Sequence, residues 1–416
     1  MTRSSIHIET ELLHGGRAST LEDGATVSPI VQSTSFAYDS AEALESVFAG
    51  RDPGFVYSRI NNPTVAAFER RMTAIEGGLG TVCCASGMAA ISTSILALAE
   101  TGDEVVSASS IFGGSYSLFA RTLPRYGITT RFVEATDVKA YEKAITNCTR
   151  AVFMETLGNP KLDVPEIAKV AEITRAKGVP LIVDNTATTP VLCRPAELGA
   201  DIVVHSTSKY INGHGTGVGG VIIDSGRFDW GAVKSGAVRE YSERAGQFAF
   251  IACLRNQIHR DLGGCFTPFN AFLMATGMES LAVRMERHCE NAARLAEALN
   301  ADPRVESVRY PGLPTHPDHE VAKRQFGGRY GALVTLRLGS KERCFSFINA
   351  LERVDILANL GDVRTLAIHP ASTFCRDATD EERRAMGVSD DLVRLSVGIE
   401  HIHDILADVD QALTQP

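Results

Sequence analysis

Apolar runs alternate with segments of helical periodicity between residues 80 and 224. The apolar runs predict strands at residues 82–84, 104–107, 130–133, 151–155, 181–184, 202–205 and 218–224. The segments between them predict helices at 89–99, 115–126, 138–145 and 165–177. Short strands separated by helices favour a mostly parallel sheet that is covered on both faces.

The pattern differs on either side of this region. Residues 1–61 are irregular apart from a short helix at 41–48, and Pro63 opens a segment of helical spacing. The segment 225–245 is polar and charged, which predicts a surface position. After residue 265 the pattern predicts a long helix at 279–299, strands at 305–310, 332–338, 363–368 and 393–397, and a last helix at 402–413. We therefore predict a large domain over 62–265 and a smaller α+β domain over 266–416.

The composition narrows the class of protein. The chain has 416 residues, 44% of them hydrophobic, with a formal net charge of -9. The hydrophobic fraction predicts a packed globular protein. The negative net charge argues against binding to nucleic acid or to an anionic membrane. The nine cysteines form no C-x-x-C pair, which is typical of reduced thiols in the cytoplasm. We expect no secretory signal, and the glycines of the uncharged stretch 77–99 argue against a membrane span.

Two strand ends carry side chains suited to catalysis. Asp184 ends one predicted strand, and Lys209 follows the next within Ser206-Thr207-Ser208-Lys209. The carboxyl edge of an open α/β sheet is where ligands bind. A partly desolvated lysine can form a Schiff base, and an aspartate can pair with a pyridinium nitrogen.

A third segment is suited to bind phosphate. Ser86-Gly87-Met88 lies between a strand and a helix, so the helix N-terminus can hold a dianion. Ser206 and Ser208 can add hydroxyl donors. Alone, each of these features more often has an ordinary structural role, such as a helix cap. In this order on one alternating chain, they predict a pyridoxal-phosphate site.

Longer motifs occur in a fixed order along the chain. They are Tyr57-Ser58-Arg59, Asn62-Pro63-Thr64, Gly213-His214-Gly215-Thr216, Arg260-Asp261-Leu262-Gly263, Pro268-Phe269-Asn270, His369-Pro370-Ala371-Ser372 and Arg394-Leu395-Ser396-Val397. With these motifs the chain resembles the Cys/Met-metabolism family of pyridoxal-phosphate enzymes, from about Gly15 to Leu413. Within the family it most resembles the O-acetylhomoserine sulfhydrylases.

The resemblance implies a fold and an assembly. The fold would be the α/β fold of type I pyridoxal-phosphate transferases, similar to aspartate aminotransferase. Residues 1–61 would form an arm that contacts a neighbouring subunit, and the chain would form a homo-oligomer, a tetramer built as a dimer of dimers. The implied reaction is γ-replacement on a homoserine ester by sulfide or a thiol in the cytoplasm, as a step of methionine biosynthesis.

The resemblance also implies roles for individual residues. Lys209, Asp184 and Phe112 would be catalytic: Lys209 would bind the cofactor covalently, Asp184 would pair with its ring nitrogen, and Phe112 would stack on the ring. Arg394, Thr365 and Tyr57 would bind substrate. The remaining cofactor contacts would come from Ser86, Gly87, Met88, Asn159, Thr186, Ser206, Ser208, Tyr57 and Arg59, the last two reaching the phosphate of the neighbouring subunit. No metal site is expected.

The residues at two positions leave open which reaction of the family the chain catalyses. Phe112 stands where the family usually has tyrosine, which makes an O-succinylhomoserine sulfhydrylase or a cystathionine γ-synthase an alternative. Gly114 stands where methionine γ-lyases have cysteine, which argues against a methionine γ-lyase.

Other motifs indicate different classes less well. Gly215-x-Gly217-x-x-Gly220 matches a dinucleotide motif, but a strand is predicted after it where a helix is required. Ser206-x-x-Lys209 lacks the partner motifs of serine acylases. The pairs His316/His319 and His401/His403 lack a third metal ligand. A non-catalytic binding protein on the same fold is the remaining alternative, and the presence of Lys209, Asp184 and Arg394 argues against it.

Overall fold

The structure is a computed structural model that describes residues 6–17 and 24–414. Its larger sheet consists of β1 (Gly80–Cys84), β2 (Glu104–Ala108), β3 (Thr129–Val133), β4 (Thr149–Glu155), β5 (Leu181–Asp184), β6 (Ile202–Ser206) and β7 (Gly220–Asp224). The strands lie in the order β1-β7-β6-β5-β4-β2-β3. All strands of this sheet run in one direction except β7, which is antiparallel to its neighbours β1 and β6. This confirms the predicted mostly parallel sheet.

Helices cover this sheet. The helices of the first part of the chain are α1 (Ile8–His14), α2 (Ala41–Phe48), α3 (Pro63–Glu76), α4 (Gly87–Leu98), α5 (Gly113–Ser117), α6 (Val138–Ala144), α7 (Ile167–Ala176), α8 (Thr189–Leu192), α9 (Gly236–Ala245), α10 (Ala249–Cys253) and α11 (His259–Leu262). The sequence sets the ends of α3: Asn62 accepts the N–H groups of Thr64 and Val65, and Gly77 ends the helix at φ 69°. Because helices pack on both faces, β4, β5 and β6 are almost continuously buried.

A second sheet follows. Its strands are β8 (Ser307–Arg309), β9 (Leu333–Arg337), β10 (Asp355–Ile356), β11 (Leu366–Ile368) and β12 (Leu392–Ser396), in the order β10-β11-β12-β9-β8. All neighbours are antiparallel except β10 and β11. The accompanying helices are α12 (Pro268–Glu279), α13 (Leu281–Ala301), α14 (His319–Gln325), α15 (Lys341–Ala350), α16 (Asp380–Ala385) and α17 (Ile402–Leu413). Among the described helices, none combines the length and apolar character that a membrane span requires.

Three predictions of local structure need correction. The helix predicted at 115–126 is α5 followed by a π-helical turn and a 3-10 turn, because Pro124 has no N–H for a regular helix. The long helix predicted at 279–299 is α13, but it begins only at Leu281, because Glu279 ends the preceding helix α12, which was not predicted. The segment 225–245 is not only a surface excursion, since Trp230 is buried and donates its Nε1–H to Asp224 at 2.9 Å.

Candidate active site

A cavity of about 820 Å³ lies at the carboxyl ends of β4, β5 and β6. Parallel strands end at the same edge of the sheet, so side chains distant in sequence meet there. The volume is that of a site for a small molecule or cofactor. The cavity brings together most of the predicted site residues, namely Ser86, Gly87, Met88, Phe112, Asn159, Asp184, Thr186, Ser206, Ser208, Lys209 and Arg394.

One corner of the cavity is the N-terminus of α4. Ser86 caps this helix by accepting the N–H of Ala89 at 3.0 Å. A Cβ atom on Gly87 would lie 2.6 Å from Cβ of Ser206, so glycine is needed for this close approach. The first N–H groups of a helix lack intrahelical partners, and here Ser206 and Ser208 line the same cavity as the N-terminus of α4. This corner is therefore suited to a phosphate group.

Asp184 is the last residue of β5 and lines the cavity. Its Oδ1 accepts the backbone N–H of Thr186 at 2.9 Å. Burial raises the pKa of Asp184, and the hydrogen bonds from Thr186, followed by the electrostatic effect of His205, oppose that rise. Thr186 Oγ1 in turn accepts the N–H of Ser206 at 2.8 Å, which links the ends of β5 and β6. A buried carboxylate in this setting can pair with a cationic ring nitrogen.

Lys209 lies three residues after the end of β6. Its Nζ donates a hydrogen bond to Asn359 Oδ1 at 2.5 Å. Burial, followed by the positive charge of Arg394, lowers the pKa of Lys209 to about 8. A substantial fraction of its amine is therefore neutral near physiological pH, as a nucleophile or base requires.

Arg394 extends from β12 of the second sheet into the same cavity. Its Nη1 donates to Asn159 Oδ1 and its Nη2 to the carbonyl oxygen of Asn359, both at 2.8 Å. Its Nε is buried without a partner, and Cζ lies 5.1 Å from the centroid of the Phe374 ring. Burial lowers the pKa of Arg394 to about 10. Among the described residues no carboxylate forms an ion pair with Arg394, so this buried cation is suited to bind an anionic ligand.

Phe112 precedes α5 and lines the cavity beside Phe374. The two ring centroids are 6.1 Å apart. The Phe112 side chain is 37% exposed, which leaves part of its ring free to stack on a planar ligand.

Three predicted residues lie outside this cavity. Tyr57 is exposed, and the guanidinium of Arg59 lies 5.5 Å from its ring and donates to the carbonyl oxygen of Arg260. Thr365 donates its N–H and its hydroxyl to Glu400. The chain by itself therefore does not bring Tyr57, Arg59 or Thr365 to the cavity wall.

The cavity also contains residues that the sequence analysis missed. Glu155 and Asn359 line it, together with Phe374. The rule that identified Asp184, a carboxylate at the end of an apolar strand, applies equally to Glu155. Asn359 and Phe374 lie in loops of the second sheet, and no sequence signal places them near Lys209.

The competing motifs find no support in the geometry. The strand β7 begins at Gly220, so no helix follows the glycine motif and the dinucleotide interpretation fails. In the part of the chain that the structure describes, no three His, Cys, Asp or Glu side chains converge to hold a metal ion.

The sequence is similar to characterised proteins over almost its whole length. Residues 9–414 match the sequence model of the family described as Cys/Met metabolism PLP-dependent enzyme. The homocysteine synthase of Schizosaccharomyces pombe is 42% identical, with 99% of each chain covered. The O-acetyl-L-homoserine sulfhydrylase of Leptospira meyeri is also 42% identical, with 97% of this chain and 96% of the relative covered.

A solved structure shows the same architecture. The crystal structure of a protein described as an O-acetylhomoserine (thiol)-lyase, from Campylobacter jejuni, aligns with a TM-score of 0.94 at 32% identity and covers 98% of this chain and 100% of that one. It contains a pyridoxyl-lysine-5'-monophosphate group. Matches of this extent establish the type I fold, and the chain belongs to the Cys/Met-metabolism family of pyridoxal-phosphate-dependent enzymes.

Proposed function

We propose that this enzyme converts O-acetyl-L-homoserine and sulfide into L-homocysteine and acetate, and that methanethiol can replace sulfide to give methionine. The names of relatives at 42% identity support this reaction. The observation that carries it is Arg394, a buried guanidinium with an unpartnered Nε and no carboxylate beside it in the described chain. An amino acid carboxylate would complete this site.

The cavity fits pyridoxal phosphate. At the corner beside Gly87 the absence of a side chain lets the N-terminus of α4 approach Ser206 closely, and Asp184 has one carboxylate oxygen engaged by Thr186, which leaves the other for a ring nitrogen. Lys209 supplies the amine for the covalent link, and Phe112 supplies a stacking face. When bound, pyridoxal phosphate acidifies the substrate Cα–H bond by withdrawing electrons.

The residues of the chain orient the substrate and move its proton. Arg394 would bind the α-carboxylate and thereby set the direction of the Cα–H bond. Lys209 would take the Cα proton on Nζ and return it, a task that suits its pKa of about 8. In the overall reaction the Cγ–O bond breaks, acetate leaves with the electron pair, and the sulfur of hydrosulfide bonds to Cγ.

The charges of the cavity favour the acetyl ester. Among the described residues that line it, Lys209 and Arg394 are the only cations. Lys209 is assigned to the cofactor, and Arg394 is assigned to the α-carboxylate of the substrate. A succinyl ester would bring a second carboxylate into the cavity, where the described chain itself supplies no third cation, and burying an unpaired carboxylate is costly. The acetyl group carries no charge and avoids this cost.

The assembly belongs to the same proposal. The exposed side chains of Tyr57 and Arg59 support a role for residues 1–61 as an arm that contributes to a neighbouring subunit's site. Residues 62–265 would form the cofactor domain and 266–416 the small domain of a cytoplasmic homotetramer, a dimer of dimers. Thr365 would act on substrate binding through its bonds to Glu400.

Product analysis tests the reaction. The purified holoenzyme is given O-acetyl- or O-succinyl-L-homoserine, each with and without sulfide, and Lys209→Ala serves as the inactive control. We expect sulfide-dependent homocysteine from the acetyl ester. Homocysteine from the succinyl ester alone would transfer the assignment to a succinyl sulfhydrylase, and predominant 2-oxobutyrate and ammonia in the presence of sulfide would indicate a γ-lyase.

A further inference from the structure

Glu155 lies beside Asp184 at the edge of the large sheet. The two residues end the parallel neighbours β4 and β5 and are directly paired in register. Residues paired in this way place their side chains on the same face of a sheet. Both side chains line the cavity, and both residues are only 9% exposed. The site therefore holds two adjacent buried carboxyl groups.

Glu155 is also bound to the segment that carries Phe112. Its Oε1 accepts the backbone N–H of Phe112 at 2.8 Å. That hydrogen bond joins the end of β4 to the residue preceding α5, whose ring faces the cavity next to Phe374. The position of the Phe112 ring thus depends on a side chain from the central sheet.

Two adjacent buried carboxyl groups cannot both carry a charge without a counter-ion. Burial, and then the charge of Asp184, raises the pKa of Glu155 well above its usual range. The amide N–H groups of Phe112 and Asn159 oppose this rise, and the cations Lys209 and Arg394 face the same cavity.

Asp184 is the better site for the negative charge. It receives the hydrogen bonds of Thr186 and the favourable potential of His205. A ring nitrogen that must stay protonated needs one carboxylate partner, and Asp184 alone supplies that charge.

We propose that Glu155 is a positioning residue whose uncharged carboxyl group holds the Phe112 segment over the cofactor, while Asp184 carries the single negative charge of the pair. This inference rests on the cofactor of the family and not on the acetyl ester. It follows that the side chain at position 155 must accept the Phe112 N–H but need not ionise.

Two substitutions separate these requirements. Glu155→Gln keeps the oxygen that accepts the Phe112 N–H and removes the ionisable group. Glu155→Leu removes both and leaves the Phe112 N–H without its partner. The measurements are the dissociation constant of pyridoxal phosphate from the refilled apoenzyme and the visible circular dichroism of the holoenzyme, which reports how the cofactor is held. We expect Gln to stay within about threefold of the parent in affinity, and Leu to weaken it about tenfold or more and change the dichroism.

A direct measurement tests the charge state. The infrared difference spectrum of the parent minus Glu155→Gln at pH 7 should contain the C=O band of a protonated carboxyl group. Glu69→Gln is the matched control, because Glu69 is a buried acid that pairs with Arg255 outside the cavity. This control should change the melting temperature and not the cofactor dichroism.

Each contrary outcome overturns the proposal. A carboxylate band in place of the protonated one would show that Glu155 is ionised. A Gln variant as impaired as Leu would show that the charge of Glu155 is needed. A Leu variant with the affinity and dichroism of the parent would show that Glu155 does not position Phe112. None of these readouts uses an acyl donor, so a wrong assignment of the acetyl ester would leave them unchanged.

Discussion

Lys209 and Asn359 are joined by a hydrogen bond of 2.5 Å between Nζ and Oδ1. The backbone carbonyl of Asn359 also accepts a hydrogen bond from Arg394 at 2.8 Å. Asn359 lies in the loop between β10 and β11, so a residue of the second sheet contacts both cations of the cavity. The neutral amide accepts the Lys209 hydrogen bond without adding the charge that would raise the pKa of Lys209.

Replacement of Asn359 by aspartate tests this relationship through the pH dependence of turnover. A carboxylate next to Nζ favours the ammonium form and raises the pKa of Lys209 from its value of about 8. A base acts in its neutral form, so the ascending limb of the kcat profile for Asn359→Asp should move to higher pH by about one unit or more. The profile is measured from pH 6 to 10 at saturating substrate.

Asn359→Ala is the control for the loss of the amide. This variant removes the hydrogen bond to Lys209 without adding a charge. It should lower kcat, and the ascending limb of its pH profile should not move to higher pH. If the aspartate variant kept the limb of the parent, Lys209 would not be the group that titrates in the profile.

The sequence predicted the part of the site that depends on local structure. Asp184, Lys209 and Ser86 each adjoin the end of an apolar strand, and parallel strands necessarily end at one edge. Asn359 and Phe374 could not be predicted in this way, because loops of the second sheet bring them to the cavity. Arg394 lies within a strand, where an arginine more often forms a surface ion pair, so only the family resemblance identified it.

The fold, like the site, was predictable where it depends on local sequence and not where it depends on distant contacts. The seven strands of the larger sheet were predicted to within two residues because apolar runs mark buried parallel strands, whereas the two-residue strand β10 was missed. The helix predicted over 115–126 was wrong in detail, since apolar periodicity does not register the π-helical turn or the effect of Pro124. The burial of Trp230 inside a polar segment depends on contact with Phe250, which is stacked 4.7 Å away and distant in sequence.

Gly87→Ala tests the phosphate corner. The added Cβ would lie 2.6 Å from Cβ of Ser206, closer than such atoms approach, so α4 and β6 must separate. We expect the affinity of the apoenzyme for pyridoxal phosphate to fall at least about tenfold, in keeping with the destabilisation typical of overpacked sites. Fluorescence titration of the apoenzyme gives this affinity.

Gly236→Ala is the matched control for that substitution. A Cβ at Gly236 would meet nothing within 4 Å, and this residue begins α9. It should leave the affinity unchanged. Equal affinities for the two variants would mean that the phosphate does not bind against Gly87.

Arg394→Ala tests the carboxylate clamp. The substitution removes a charged hydrogen-bond donor that is 3% exposed and has no anionic partner in the described chain. The KM for the amino acid ester should rise about 10- to 150-fold, the range expected for lost hydrogen bonds to a charged group. Arg353→Ala, at an exposed arginine, is the control and should leave KM unchanged. An unchanged KM for Arg394→Ala would remove Arg394 from substrate binding.

His288 makes the stability of the fold depend on pH. It is fully buried in α13, and its Nδ1 lies 2.6 Å from the carbonyl oxygen of Val397, to which it must donate a proton. Burial lowers the pKa of His288 to about 4. Burial is also the main cause that lowers the pKa values of His259 and His316 to about 4. An unfolded histidine has a pKa of about 6.5, so below that pH the unfolded chain binds more protons than the folded one.

The free energy of unfolding should therefore fall as the pH drops from about 6.5 towards 4, by up to about 1.4 kcal/mol per pH unit for each such histidine. His288→Gln removes one titrating group and keeps an N–H that can donate to Val397. Denaturant unfolding between pH 4.5 and 7 should show a shallower slope for this variant than for the parent, whereas His7→Gln, at an exposed position, should match the parent. Identical slopes for parent and His288→Gln would show that His288 takes up no proton on unfolding. The histidine would then already be charged inside the fold, and its hydrogen bond to Val397 would be a charged one.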